Sequence, residues 1–213
     1  MKQITIAAVL LVAFSPTQIN ADLIGFYTFD DPANPLKDAS SKGNDLTSVK
    51  ADPVYVEDQG FEGGAYEFDG KQRLVSPVNL NPSVHSKVTF GAWVKTATLE
   101  VGLYKVIGHD NGGWDRTIGL DSRVQGGDPD FRYTAFTGVG GPVEGTSWPE
   151  STDDWTFIAV SYDQDERLVS FYVDIEANST DDELEEFESD AFFGEGFPTV
   201  AIGGMRPDRV ADG

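Results

Sequence analysis

Residues Tyr66–Thr96 read YEFDGKQRLVSPVNLNPSVHSKVTFGAWVKT, and the fold is decided there. In the second half, Val88, Phe90, Ala92 and Val94 alternate with Thr89, Gly91, Trp93 and Lys95. A period of two is the mark of a strand whose two faces meet different surroundings. In the first half, a short strand over Ala65–Phe68 runs into Asp69-Gly70, a pair that tolerates positive φ and so predicts a turn. The proline-bearing link Ser76–Pro82 then holds the chain extended up to the next strand. Turn, long link and central strand together predict a crossing from one sheet of a β-sandwich to the other.

Three further stretches extend this reading. DDWTFIAVSYD (Asp153–Asp163) and RLVSFYVD (Arg167–Asp174) form a strand pair, and DASSKGNDLT (Asp38–Thr47) is a turn-rich loop. With Phe68-Asp69-Gly70 and the Thr89–Lys95 strand, they resemble, in the same order, the laminin-G-like, concanavalin A-like jelly rolls of extracellular proteins. The resemblance covers most of Leu23–Gly204. It implies an all-β, two-sheet antiparallel sandwich. It does not imply a function, because this fold carries lectins, adhesion modules and hydrolases alike.

At the N-terminus, Met1–Ala21 reads as a secretory leader. Lys2 gives a positive start, Ile4–Phe14 is an apolar run, and Ile19-Asn20-Ala21 is a small-residue cleavage site. The run is too short to cross about 30 Å of hydrocarbon, and no second apolar segment of spanning length follows. The remaining stretch, 22–213, is about 190 residues, which suits one sandwich with a core large enough to stand without disulfides. Cysteine is absent. With 36 acidic and 15 basic residues the formal charge is −21, which argues against nucleic acid or an anionic membrane as partner. The charge fits divalent cations, a saline habitat or simple solubility; a glycan or an extracellular protein is the expected partner.

Along the chain, strands are expected at Leu23–Phe29, Val54–Val56, Ala65–Phe68, Val88–Thr96, Tyr104–His109, Arg116–Asp121, Phe131–Phe136, Trp155–Tyr162, Arg167–Val173 and Thr199–Ile202. Trp155–Tyr162 is apolar at both parities, which places it mid-sheet with both sides covered. Trp93 and Trp155, lying on strands, are expected in the core. Asp181–Asp190 is a run of acids whose self-repulsion predicts an exposed loop. Asn178-Ser179-Thr180 is a glycosylation sequon.

Sandwich glycanases need two carboxylates close together beside the sugar, commonly projected from one strand. No strand here carries that pattern, because the acids cluster in turns and Glu57, Asp58 and Glu62 come nearest. His85 and His109 are the only histidines, and neither has a partner at metal-ligand spacing. The expectation is a secreted, noncatalytic recognition or adhesion module that binds carbohydrate with the help of calcium, with a glycoside hydrolase or polysaccharide lyase of the same fold, or a purely structural cell-surface domain, as alternatives.

Two loops are candidate sites. Asp38, Asn44 and Asp45 surround the flexible Gly43 and offer the hard oxygens that Ca2+ takes. The resemblance implies a structural calcium site at this loop, and the alternative is an Asx-rich turn held by its own hydrogen bonds. In His109–Arg116, Trp114 follows two glycines and could stack on a sugar, with Asp110, Asn111, Asp115 and Arg116 directing hydrogen bonds. Trp148 is a second candidate platform. The alternative folds Trp114 back on the sandwich edge and makes Asp115 and Arg116 structural.

One strand is expected to be missing. In the resembled family the stretch like Thr199–Gly204 is followed by a last strand lying beside the first, and here Met205–Gly213 supplies none. Leu23–Phe29 is then expected to present an unpaired edge, open to aggregation or to another chain, and the 213 residues are expected to be a fragment of a longer reading frame or a protein completed by a partner strand.

Overall fold

The computed structural model describes residues 3–14, 21–49, 51–98, 102–113, 115–121, 132–136, 142–144, 154–174, 183–188, 194–204 and 207. Among them the regular structure is all strand, so no described helix is long and apolar enough to cross a membrane. The strands form two antiparallel sheets packed as a jelly-roll-like sandwich.

The larger sheet holds β1 (Gln3–Phe14), β2 (Ala21–Tyr27), β4 (Val54–Val56), β5 (Ala65–Phe68), β7 (Lys87–Thr98), β12 (Thr156–Asp163), β13 (Leu168–Asp174) and β14 (Glu183–Glu188). Its order is β14-β13-β12-β7-β1-β5-β4, with β2 also paired to β1. The smaller sheet runs in the order β11 (Pro142–Glu144), β10 (Arg132–Phe136), β9 (Thr117–Asp121), β8 (Leu103–Gly108), β15 (Val200–Ile202), β6 (Arg73–Ser76) and β3 (Thr47–Val49).

The deciding stretch behaves as its pattern predicts. β5 lies in the large sheet and β6 in the small one, joined by the Asp69-Gly70 turn with Gly70 at φ +87°. The link after Ser76 carries the chain back to β7 in the large sheet. Val88, Phe90, Ala92 and Val94 of β7 are fully buried, as are Ile158, Val160 and Tyr162 of β12 beside it. Leu74, Val106, Ile118, Leu120 and Ile202 of the small sheet complete the same core. Each large apolar side chain removed from water stabilises the fold by about 1.5–3 kcal/mol, so this layer is what holds the sheets together.

Four expectations are corrected. β12 is indeed mid-sheet, between β7 and β13, but its residues alternate buried and half-buried, so only one face is covered. The small Ala159 and Ser161 keep the outer face low. Trp93 is half-buried on that outer face and not in the core, because β7 turns it the same way as Thr89 and Lys95. Trp155 is likewise half-buried, just ahead of β12. The acidic run is no loop over Glu183–Glu188, which pairs with β13 as an edge strand. An acid-rich sequence at an edge discourages further strands from adding on.

The fourth concerns the open edge. β2 is not unpaired, because Val9–Phe14 of β1 lies alongside it while Ile4–Ile6 pairs with β5. On its other side β1 pairs with β7 along its whole length. The apolar run read as a leader thus occupies the middle of the large sheet. Ile4, Ile6, Val9 and Leu11 face the core, at most 5 % exposed.

Candidate functional site

The two loops singled out from sequence are both knitted into the scaffold. In the first, Asp38 is buried, and its carboxylate accepts from the amides of Phe26, Ser40 and Asn44 and from the Ser40 hydroxyl, at 2.8–3.0 Å. Burial pushes this carboxyl up, but the hydrogen bonds from Ser40, Phe26 and Asn44 outweigh it and hold it below the usual range. Asn44 donates from Nδ2 to the Ile24 carbonyl, and its own carbonyl accepts from the Tyr27 hydroxyl. Asp45 accepts from Lys37 Nζ and from the Asp38 amide. Both Asp38 oxygens are therefore met by N–H and O–H donors, which a calcium ion would have to displace. Among the described residues no three His, Cys, Asp or Glu side chains are grouped to share a metal ion. Beside this loop lies an open groove of about 530 Å³, bordered by Lys37, Asp45, Asp52, Tyr55 and Tyr66.

In the second loop, Arg116 is fully buried immediately before β9. Its Nη1 donates to the carbonyls of Leu80 and His85 at 2.7 and 2.8 Å, and the guanidinium lies 5.3 Å from the Tyr162 ring centre. Burial pulls its pKa down to about 10, which leaves it charged at neutral pH. Asp110 and Asp115 are buried too: Asp110 accepts from the Asp115 amide, and Asp115 from the Asn111 amide. Asn111 is exposed and donates to the Glu195 carbonyl. The 109–116 loop, the 80–86 link and the 194–197 segment are thus one tied end of the sandwich. Trp114 and Trp148 lie outside the described residues.

His109 belongs to the same end. Its Nδ1–H donates to the Phe197 carbonyl at 3.1 Å, and its Nε2 is buried with no hydrogen-bond partner among the described residues. Burial lowers its pKa to about 4 and Arg116 pushes the same way, against the Phe197 hydrogen bond and the charges of Asp110 and Glu195. The unfolded imidazole titrates near 6.5. Between pH 6.5 and about 4 the unfolded chain therefore binds a proton that the native state refuses. The stability this group contributes is whole above that window and falls as the pH drops through it. Relative to His109→Gln, the wild type should lose about 3 kcal/mol in urea unfolding between pH 7.5 and 4. A difference between the two proteins that stays constant with pH would show that His109 titrates normally.

A third arrangement was not singled out from sequence. On the outer face of the large sheet, Trp93 of β7 sits opposite Phe157 of β12, with ring centres 5.3 Å apart. Tyr172 of β13 follows at 6.3 Å, and Phe61 stacks on Trp93 at 3.6 Å and 6°. All four are half-buried. The row crosses three strands because the register pairs Trp93 with Phe157 and places Tyr172 diagonally beyond. Next to it the floor drops to Gly91 and Ala159, which are paired neighbours. A Cβ at Gly91 would meet the Ile158 carbonyl at 2.6 Å, so the strand admits no side chain there. Further along, Thr89 and Ser161 share a 3.1 Å hydrogen bond, and Lys87 and Asp163 form a 2.7 Å ion pair. One sheet face thus runs from aromatic through small to hydroxyl and charged. The sequence signal was present, since Trp93 shares its parity with Thr89 and Lys95.

Compared with known proteins, the chain matches no protein-family model and no curated protein sequence.

Proposed function

We propose that this is an extracellular, noncatalytic recognition module that binds glycans on the outer face of its large sheet. The observation that supports it is the half-buried row of Trp93, Phe157 and Tyr172 beside a floor of Gly91 and Ala159. Sugars offer C–H faces that stack on aromatic rings and hydroxyls that want directed partners. Here the rings lie within one strand-pair of Thr89 and Ser161, with the Lys87–Asp163 pair beyond. The Asp38 loop is complete in its own hydrogen bonds, so recognition is assigned to the sheet face and calcium dependence is left to the measurement.

A glycan array probed with and without chelator identifies the ligand. Phe157→Ala and Tyr172→Ala should each weaken binding to that glycan roughly tenfold or more, at a stability cost of about 1–2 kcal/mol for a half-buried ring. Trp93→Ala should lose both binding and more stability, because Phe61 stacks on it. Unchanged affinity in the Phe157 and Tyr172 variants would remove the sheet face as the site. Activity of the wild type against the bound glycan would instead favour the hydrolase or lyase reading.

A further inference from the structure

The groove beside the Asp38 loop lies where the chain passes from β3 to β4, which among the described strands end the small and the large sheet. β1 and β5 separate it from the aromatic row on β7, β12 and β13. Pro35, Leu36, Leu46 and Pro53 give it an apolar lining, and Tyr55 and Tyr66 meet there with ring centres 5.3 Å apart and planes tilted by 58°. This corner is held firmly. The Tyr55 hydroxyl donates to the Phe29 carbonyl at 2.8 Å, and the Phe29 ring stands edge-on to Tyr66 at 5.1 Å and 88°. Phe29 itself is buried at φ +62°, a left-handed conformation that a bulky residue adopts only under constraint. A Cβ at Gly64 would run into both the Phe29 carbonyl and the Tyr55 hydroxyl, so glycine is what lets the chain pass so close. Strain held in place by its surroundings in this way clusters at ligand clamps and active sites.

The charge around the corner has one sign. Burial pushes the Tyr66 hydroxyl up to about 12, and Tyr55 and Asp52, which also line the groove, push the same way. Burial raises Tyr55 as well, followed by the charges of Glu57, Asp30, Asp58 and Asp31. Among the described lining residues Lys37 is the one cation, and its Nζ is engaged by Asp45 at 2.7 Å. An anion would meet these carboxylates and a chain at −21, whereas a cation is drawn to them and to the faces of aromatic rings. We propose that the groove binds a small organic cation, an alkylammonium whose head sits at the Tyr55–Tyr66 corner in the field of Asp52 and whose body lies on Leu36, Leu46 and Pro53. A volume of about 530 Å³ suits a whole small molecule. Lys37 is the site's own competitor, an exposed alkylammonium on the groove wall held by a carboxylate that an entering cation also seeks.

The test titrates hexylammonium into the full chain by NMR, in chelator at neutral pH and low salt, beside hexanol and hexanoate as probes of the same length. Hexylammonium should shift the Tyr55 and Tyr66 ring signals and bind about tenfold more tightly than hexanol, and hexanoate should not bind. Asp52 is exposed, so Asp52→Asn should leave the fold intact while weakening the ammonium about threefold or more, as added salt should too. Lys37→Met should tighten it several-fold by releasing Asp45. Tyr55→Leu should weaken it about tenfold, and Tyr55→Phe, which keeps the ring, should stay near the wild type. Melting midpoints accompany each titration, and the Asp52 and Lys37 variants carry the test if Tyr55→Leu unfolds. Equal affinities for hexylammonium and hexanol would reduce the groove to an apolar surface and overturn the proposal. Weaker binding by Lys37→Met, or shifts confined to Trp93, Phe157 and Tyr172, would overturn it by placing the ammonium elsewhere. Tighter binding of Nα-acetyl-lysine methylamide than of hexylammonium would overturn it by making the ligand a basic peptide.

Discussion

Arg116→Met should destabilise the protein by about 3–5 kcal/mol and lower its melting midpoint by roughly 10 °C. The guanidinium is fully buried and donates to the main-chain carbonyls of Leu80 and His85, in the link that carries the chain from β6 to β7. Methionine keeps most of the volume but leaves both carbonyls without this donor, and a buried acceptor so stranded costs about 1–3 kcal/mol. Contact with the Tyr162 ring face is lost as well. Arg116→Lys should fall between the wild type and the methionine variant, since an ammonium keeps a donor for the Leu80 and His85 carbonyls but loses the second guanidinium nitrogen, which reaches the Ser86 carbonyl at 3.4 Å. Urea unfolding of the two variants decides between two roles for the residue. If Arg116 served a ligand from the Trp114 loop, the methionine variant would unfold within about 1 kcal/mol of the wild type and lose only binding.

The same residue shows where sequence reading succeeds and where it stops. Arg116 follows a Gly-Gly-Trp-Asp loop, which suggests an exposed charge, and only the fold reveals that the 80–86 link arches over it. That proximity is between segments about thirty residues apart, and no local pattern encodes it. The period of two is legible where one face has to be apolar and the other is polar or small, as at Val88–Val94, whereas Trp155–Tyr162 is apolar at both parities and only the fold shows that one face is covered. At Trp93 size and parity point in opposite directions: a large ring suggests the core, but its neighbours Thr89 and Lys95 mark the outer face, and parity prevails. Its partner Phe61 arrives from a loop closed by the Gly60 amide on the Gly63 carbonyl, again a tertiary fact. Gln3–Phe14 could not be resolved by pattern at all, because a leader's apolar run and a doubly flanked strand have the same composition. Glu183–Glu188 pairs with β13 although its charge argued for a loop, because an edge strand answers to one neighbour and leaves its other side to water.

Asp38→Ala should cost about 3–4 kcal/mol in excess chelator, where no calcium contribution survives. The carboxylate gathers four donors, and the one from Phe26 ties the 38–45 loop to β2. Removing it strands the Phe26, Ser40 and Asn44 amides in a site where Asp38 is only 5 % exposed. Asp38→Asn should recover part of the loss, because one amide oxygen still accepts while the NH2 faces donors it cannot satisfy. The pH dependence follows from the same bonds. The folded carboxyl is held below its unfolded value, so its contribution is present above the ordinary carboxylate range and disappears as the pH falls through the folded pKa. Calcium is separated by the second arm of the measurement. An ion bound only to the native state would add about 2.7 kcal/mol at a hundred times its dissociation constant. If Asp38→Ala costs as much in chelator as in calcium, the carboxylate is a hydrogen-bond hub. A loss confined to the calcium arm would make Asp38 a metal ligand and require its four donors to give way when the ion binds.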